Sequence, residues 1–261
     1  MTREELASVI DDLAAEQAVV LGAISGLDAD TWDRPTAAEG WTLRDCVAHL
    51  AETDESATDA VLRIERPRNA RERQGVLTPG QIAARRKAGS EVAAWYEDAT
   101  QRLIEALRRL APDARPAWLG RPMGASSFIS ARIMEHWSHG LDILEAAGVE
   151  AVDSDRLRHV AHLGYITRDF AFRNRGLTPP EEPFYLELTA PSGETWTWGP
   201  AEAQQRIIGS AGDFCRVVTQ RIHPADTQLE ATGEDAREFL TIAQAFAGPP
   251  GQGRPRKGTS D

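Results

Sequence analysis

Basic charge is scarce in this chain, and lysine scarcer still. Its 29 lysines and arginines face 40 aspartates and glutamates, a formal net charge of −11, and Lys87 and Lys257 are the only lysines. Phosphate backbones are bound by positive fields, so this balance argues against a nucleic-acid partner. The basic cluster at the C-terminus, Arg254, Arg256 and Lys257, is too short to alter that. Cysteine is almost absent: Cys46 and Cys215 lie far apart, each in an apolar helical pattern. They read as buried structural thiols in a reducing compartment, with no evident activating base, rather than as a bridge. No apolar run is long enough to span a membrane and no signal peptide is evident, so the expectation is a cytoplasmic protein with no membrane partner. Arginine used in place of lysine, with abundant alanine, points to a GC-rich genome.

What the chain does have is apolar residues at helical spacing. Thr2 can cap a first helix whose stripe runs through Leu6, Val9, Ile10, Leu13, Val20, Leu21 and Ile24. Gly40-Trp41-Thr42-Leu43-Arg44-Asp45 opens a second, with Thr42 as N-cap and Asp45 as its reciprocal acidic partner. The polar, arginine-rich stretch 66–77 reads as a loop, and Thr78-Pro79 starts a third helix predicted to run unbroken to Leu110. After a stretch rich in Pro and Gly comes a fourth, over 126–147. Four long amphipathic segments predict an up-down bundle over residues 1–150. Beyond it, 153–175 reads as one helix, and Phe184-Tyr185-Leu186-Glu187-Leu188-Thr189 with Thr195-Trp196-Thr197-Trp198 as a hairpin. Residues 201–220 read as helix, 227–231 as a third strand and 235–246 as a last helix. The expected class is therefore α+β, with a smaller α+β domain over 151–248 and a flexible tail over 249–261.

The fourth helix carries the chemistry. Glu135 and His139 are four residues apart, so their side chains lie one above the other on one face and can share a divalent metal. A third ligand has to come from elsewhere, and His49, flanking the apolar stripe of the second helix, is the best candidate. Asp142, one turn beyond His139, is placed to accept the proton of the imidazole nitrogen turned away from the metal. Spacing alone also fits a solvated polar face, and His136 could compete as a ligand or pack in the core. Arg132 could pair with Glu135 or with an anionic substrate. Asp54 lies within an apolar stripe and so needs a partner or a wet cavity; it is taken as the cofactor-binding residue.

These motifs resemble a known family. Gly40-Trp41-Thr42 followed by Val47-Ala48-His49-Leu50, and later Met134-Glu135-His136-Trp137-Ser138-His139-Gly140-Leu141-Asp142, are similar to the mycothiol-dependent maleylpyruvate isomerase family of the DinB-like superfamily. The resemblance implies a DinB-like four-helix bundle holding a divalent metal, zinc by usual assignment, on His49, Glu135 and His139. It also implies mycothiol or another low-molecular-weight thiol as cofactor. A role in activity is implied for Arg221, the arginine that ends a helix of the second domain. Residues 236–254 and Trp196-Thr197-Trp198-Gly199-Pro200 look like an actinobacterial branch of the family rather than the isomerase proper, which leaves the substrate open.

The expected activity is thus a metal- and thiol-dependent isomerase or S-transferase. It would act on a small electrophilic substrate, with Arg221 and Arg132 holding a carboxylate. The rivals are a metal-assisted hydrolase that needs no thiol and a non-catalytic carrier for a small hydrophobic acid. Either a monomer or a homodimer is compatible with the sequence.

Overall fold

The computed structural model describes residues 1–63, 76–118 and 121–258. The chain divides into two compact units, Met1–Ala151 and Val152–Asp261. The expected loop at 66–77 falls almost wholly outside the described residues.

The first unit is built on α1 (Arg3–Ile24), α2 (Ala29–Trp32), α3 (Leu43–Leu62), α4 (Pro79–Ala84), α5 (Gly89–Arg108) and α6 (Ala125–Ala147). Two short paired strands, β1 (Ala117–Trp118) and β2 (Arg121–Pro122), precede α6. The four long helices pack around a square, α1 against α5 and α6, and α3 against the same two. Named pairings give their directions. Gln17 meets Asp54 while Tyr96 meets Gln17, and Arg108 meets Asp11, so α1 runs against both α3 and α5. Arg44 reaches Lys87 while Glu55 reaches Trp95 and Arg102, so α3 and α5 run the same way. The order is up-down-down-up, since α4 and the start of α5 lie beside the first turn of α3, where Gln81 meets Asp45 and Lys87 meets Arg44. The apolar core has two parts, one around Val20, Leu43, Val47, Tyr96 and Ile143, the other around Leu6, Leu13, Leu103, Phe128 and Ile133.

Capping is as read from sequence at two of these starts. Thr2 accepts from Glu5 N–H and Thr42 from Asp45 N–H, each with the reciprocal acidic bond. The third helix differs from expectation, since it is two helices, α4 and α5, separated at 85–88. The break has two causes. Arg85 turns outward to pair with Asp45 at 2.6 Å, and Gly89 brings the backbone so close to Trp32 that a Cβ there would lie 2.2 Å from the indole nitrogen. Periodicity alone does not register either contact.

The second unit contains α7 (Leu157–Ile166), α8 (Arg168–Asn174), β3 (Phe184–Thr189), β4 (Thr195–Trp198), β5 (Gln205–Ser210), α9 (Ala211–Val218), β6 (Glu230–Thr232) and α10 (Glu234–Ile242). The sheet order is β4-β3-β5-β6, with β3 and β5 parallel and the other pairs antiparallel. Two expectations are corrected here. The single helix over 153–175 is two, because Thr167 leaves helical geometry and its hydroxyl bonds back to the Leu163 carbonyl. Residues 205–210, read as helix, form β5: its Ile207-Ile208 pair suits a strand, and Ser210 caps α9 by accepting from Asp213 N–H. The tail from 249 is tied down as far as residue 257, with Gly251 O accepting from Arg175 and Lys257 N–H donating to Asp226. The unit is closed by packing of α7 on α9, where Gly164 allows contact with Phe214 and Val218.

Asp45 unites two of these features, capping α3 and pairing with Arg85, and its side chain is fully buried. Burial opposes its ionisation, but Arg85 and the Thr42 N–H and hydroxyl overcome this and hold its carboxyl below the ordinary 3.8. A depressed folded value means the carboxylate stabilises above that ordinary value and loses its contribution as pH falls through the lowered one. Asp45→Ala should cost about 2 kcal/mol near neutrality, the upper range for a lost cap, and the wild-type advantage should vanish in acid. Urea melts of both proteins over a pH series check this, and a loss independent of pH would contradict it.

Candidate metal centre

His49 sits two turns into α3, and Glu135 and His139 stack on α6. The structure brings all three together. His49 Nε2 lies 3.6 Å from Glu135 Oε2 and His139 Nε2 lies 3.7 Å from the same oxygen. One ligand atom from each of the three falls within 4.8 Å of the others. Burial works against the charge on Glu135, yet the adjacent His49 ring, with the charges of His139 and Arg132, brings its pKa down to about 2. A carboxylate between two imidazoles is a donor set of nitrogen and oxygen atoms that a divalent ion fits.

The surroundings orient these ligands. Asp142 Oδ2 is 3.4 Å from His139 Nδ1, on the side of the ring opposite Glu135, as the helical spacing suggested. Trp41 stacks on His139, its ring centroid 5.5 Å away and nearly parallel at 17°, and also lies 5.0 Å from His49. Sequence reasoning gave Trp41 no role beyond the helix-opening motif. The signal was there in Thr42, because fixing Thr42 as N-cap places the preceding indole beside the first turns of α3.

One turn away from the metal ligands, Asp54 is fully buried and both its oxygens are engaged. Oδ1 accepts from Arg132 Nε at 3.0 Å and Nη2 at 2.7 Å, and Oδ2 meets Gln17 Nε2 and His136 Nε2, each at 2.9 Å. Tyr96 closes the group, its hydroxyl donating to Gln17 O at 3.2 Å and lying 3.1 Å from His136 Nδ1. Burial raises the Asp54 pKa, but the charges and hydrogen bonds of His136 and Arg132 outweigh it and keep the carboxyl ionised. The Tyr96 hydroxyl is pushed well above its ordinary value by burial and by the Asp54 charge.

Asp54, expected to bind a cofactor, has in the structure the set of partners that its place in the stripe demanded. Arg132 pairs with Asp54 and Thr53 rather than with Glu135, and its side chain is 1% exposed. His136 points into this core and not at the metal ligands. Arg221 follows α9 through a left-handed Gln220 and donates its N–H to Arg216 O at 2.7 Å, while its Nη1 donates to Thr219 O. The expectation for Cys46 also changes, because its thiol lies within 4.8 Å of ligand atoms of both His139 and Asp142. Cys215 is buried, donates to Leu157 O, and burial pushes its thiol pKa well above 9.0.

Comparison with known proteins places this geometry. Residues 13–144 match the model of the mycothiol maleylpyruvate isomerase N-terminal domain. The chain belongs to that family. Residues 180–232 match a second model, named for wyosine base formation. Two uncharacterised proteins of Mycobacterium tuberculosis, from strains CDC 1551 / Oshkosh and ATCC 25618 / H37Rv, are each 43% identical to it over 259 residues, covering 94% of this chain and 97% of theirs. Crystal structures of mycothiol-dependent maleylpyruvate isomerase and of a mutant of it share the fold, with TM-scores of 0.59 and 0.58. Identities are 18% and 17%, over 88% of this chain and 95% of theirs. The family membership and the fold are thus shown, while at this identity the solved enzyme speaks for architecture alone. Among the described residues no helix is long and apolar enough to cross a membrane.

Two outcomes follow from the site. Protein purified without chelator should carry stoichiometric divalent metal by elemental analysis, and His139→Ala should lose most of it with an unchanged circular dichroism spectrum; metal-free wild type that cannot be reconstituted would contradict this. Asp54→Ala strands Arg132 in the core and should cost about 3–5 kcal/mol in denaturant melts. A loss under about 1 kcal/mol, the range of an exposed pair, would show that the buried group holds nothing.

Proposed function

We propose that this protein is a metal- and thiol-dependent isomerase or S-transferase acting on a small electrophilic, carboxylate-bearing substrate, with mycothiol or a related thiol as cofactor. The observation that carries the reading is the convergence of His49, Glu135 and His139 in a chain of the mycothiol maleylpyruvate isomerase family. When bound there, a divalent ion, zinc by preference for this donor set, would lower the pKa of a coordinated thiol so that its thiolate persists at neutral pH.

The chain's own residues do the rest. Glu135 supplies a carboxylate whose pKa is held low by its histidine neighbours and by Arg132. Asp142 holds the His139 ring by its Nδ1 side and Trp41 covers its face, so Nε2 stays aimed at the site. Trp41 and the buried position of His49 limit water around the thiol, which favours addition to an electrophilic carbon over protonation. In isomerisation the thiol adds, a bond rotates and the thiol leaves; in transfer the adduct is the product. Arg221 is the group proposed to hold the substrate carboxylate by its planar fork.

The reconstituted protein should turn over maleylpyruvate or a related unsaturated acid only when both metal and thiol are present. Activity that needs metal but no thiol would instead support the hydrolase, and ligand binding with no turnover the carrier. Arg221→Lys should keep metal and melting temperature yet lose at least about tenfold in kcat/KM, roughly 1.4 kcal/mol of transition-state binding. Unchanged turnover would remove Arg221 from the site.

A further inference from the structure

His139 belongs to two clusters of ligand atoms and not one. Besides the set with His49 and Glu135, one ligand atom each of Cys46, His139 and Asp142 lie within 4.8 Å of one another. The second cluster is the first displaced by about one turn along the same antiparallel pair of helices. Cys46 precedes His49 by three residues on α3, and Asp142 follows His139 by three on α6, so each shares a face with its neighbour. We propose that Cys46, His139 and Asp142 form a second metal-ligand set, selective for soft divalent ions such as cadmium, which competes with the first set for His139.

The two ring nitrogens explain the competition. His139 Nε2 faces Glu135 and Nδ1 faces Asp142. A neutral imidazole offers one lone pair at a time, so an ion on Nδ1 leaves the ring proton on Nε2, directed at the first set and unable to ligate there. Binding at the second set releases the Cys46 thiol proton to solvent and leaves a thiolate, a carboxylate and a neutral imidazole around the ion. That donor set differs from the first in its sulfur, and thiolate sulfur favours soft ions over hard ones. Donor atoms within 4.8 Å of one another need only small side-chain shifts to reach bonds of about 2.0–2.3 Å. The Cys46 thiol lies 3.5 Å from the Thr36 hydroxyl, a hydrogen bond that the ion would replace. A thiophilic ion in excess would accordingly disarm the site through a residue that takes no part in it.

This inference rests on the cluster geometry and shares His139 and its neighbour Asp142 with the proposed function. Its test is cadmium titration of metal-free protein, followed by the ultraviolet thiolate-to-cadmium charge-transfer band. Wild type, His49→Ala and Cys215→Ser should all develop the band, and Cys46→Ser should not, while still binding zinc stoichiometrically. Zinc-loaded wild type should need at least about tenfold more cadmium than His49→Ala to reach half the band, the lower end of what a lost partner costs a metal site. Absence of the band in wild type, or its persistence in Cys46→Ser, overturns the second set. Equal cadmium requirements would overturn the sharing of His139. Zinc binding that survives His49→Ala unchanged would instead count against the first set, leaving the cadmium result to stand by itself.

Discussion

A single buried carboxylate holds the bundle together. Asp54 comes from α3, its partners Arg132 and His136 from α6 and Gln17 from α1, and Tyr96 of α5 closes the group through Gln17 and His136. All four long helices thus meet at one charge. A charge without solvent is tolerated only when every lone pair is matched, so the four helices can adopt only the register that matches them. That register also sets the metal ligands. Arg132, His136 and His139 sit on successive turns of α6, and whatever fixes the first two fixes the third. The apolar stripes supply burial, but a stripe tolerates sliding by a turn, and this hydrogen-bonded group does not.

Much of this was legible in the chain, and the reasons differ by element. The ends of α1, α3 and α6 could be read because caps and periodicity are local properties. Glu135 and His139 could be paired because helical geometry leaves no freedom over four residues. His49 could be nominated since its helix was already placed. What could not be read was non-local. Asp54 announced that it needed a partner but not which one, and Arg132 and His136 looked equally suited to other tasks. The break between α4 and α5 depends on Trp32, more than fifty residues earlier. In the second unit, Ile207 and Ile208 fit a helical stripe as well as they fit a strand. Only the pairing of β5 between β3 and β6 decides, and no local pattern encodes it.

The division of labour between the helices bears on the chemistry. The helix α6 contributes a candidate metal ligand and an internal anchor from each of two consecutive turns, so its rotation about its own axis is constrained from both sides. Such bracing keeps Glu135 and His139 prearranged without help from an ion, which is what a site must offer if it is to admit an exchangeable ligand and not merely close around a metal. The family resemblance read from the sequence and the match over residues 13–144 agree on this half of the chain.

Gln81 draws the short helix α4 into the same construction. Its side chain is fully buried, its oxygen caps the start of α4 by accepting from Thr78 N–H, and its amide donates to the carbonyl of Asp45. In a regular helix that carbonyl is also the acceptor for the N–H of residue 49. The segment around Gln81 therefore rests on the turn that presents His49, and Arg85 clamps the carboxylate of the same Asp45 from outside. Fraying of α4 and loosening of the first turn of α3 become one event, a local opening with its own free energy below that of global unfolding. Amide exchange would register the two stretches as a single unit, and the rigidity of His49 becomes the property of a helix that contributes nothing to the candidate site.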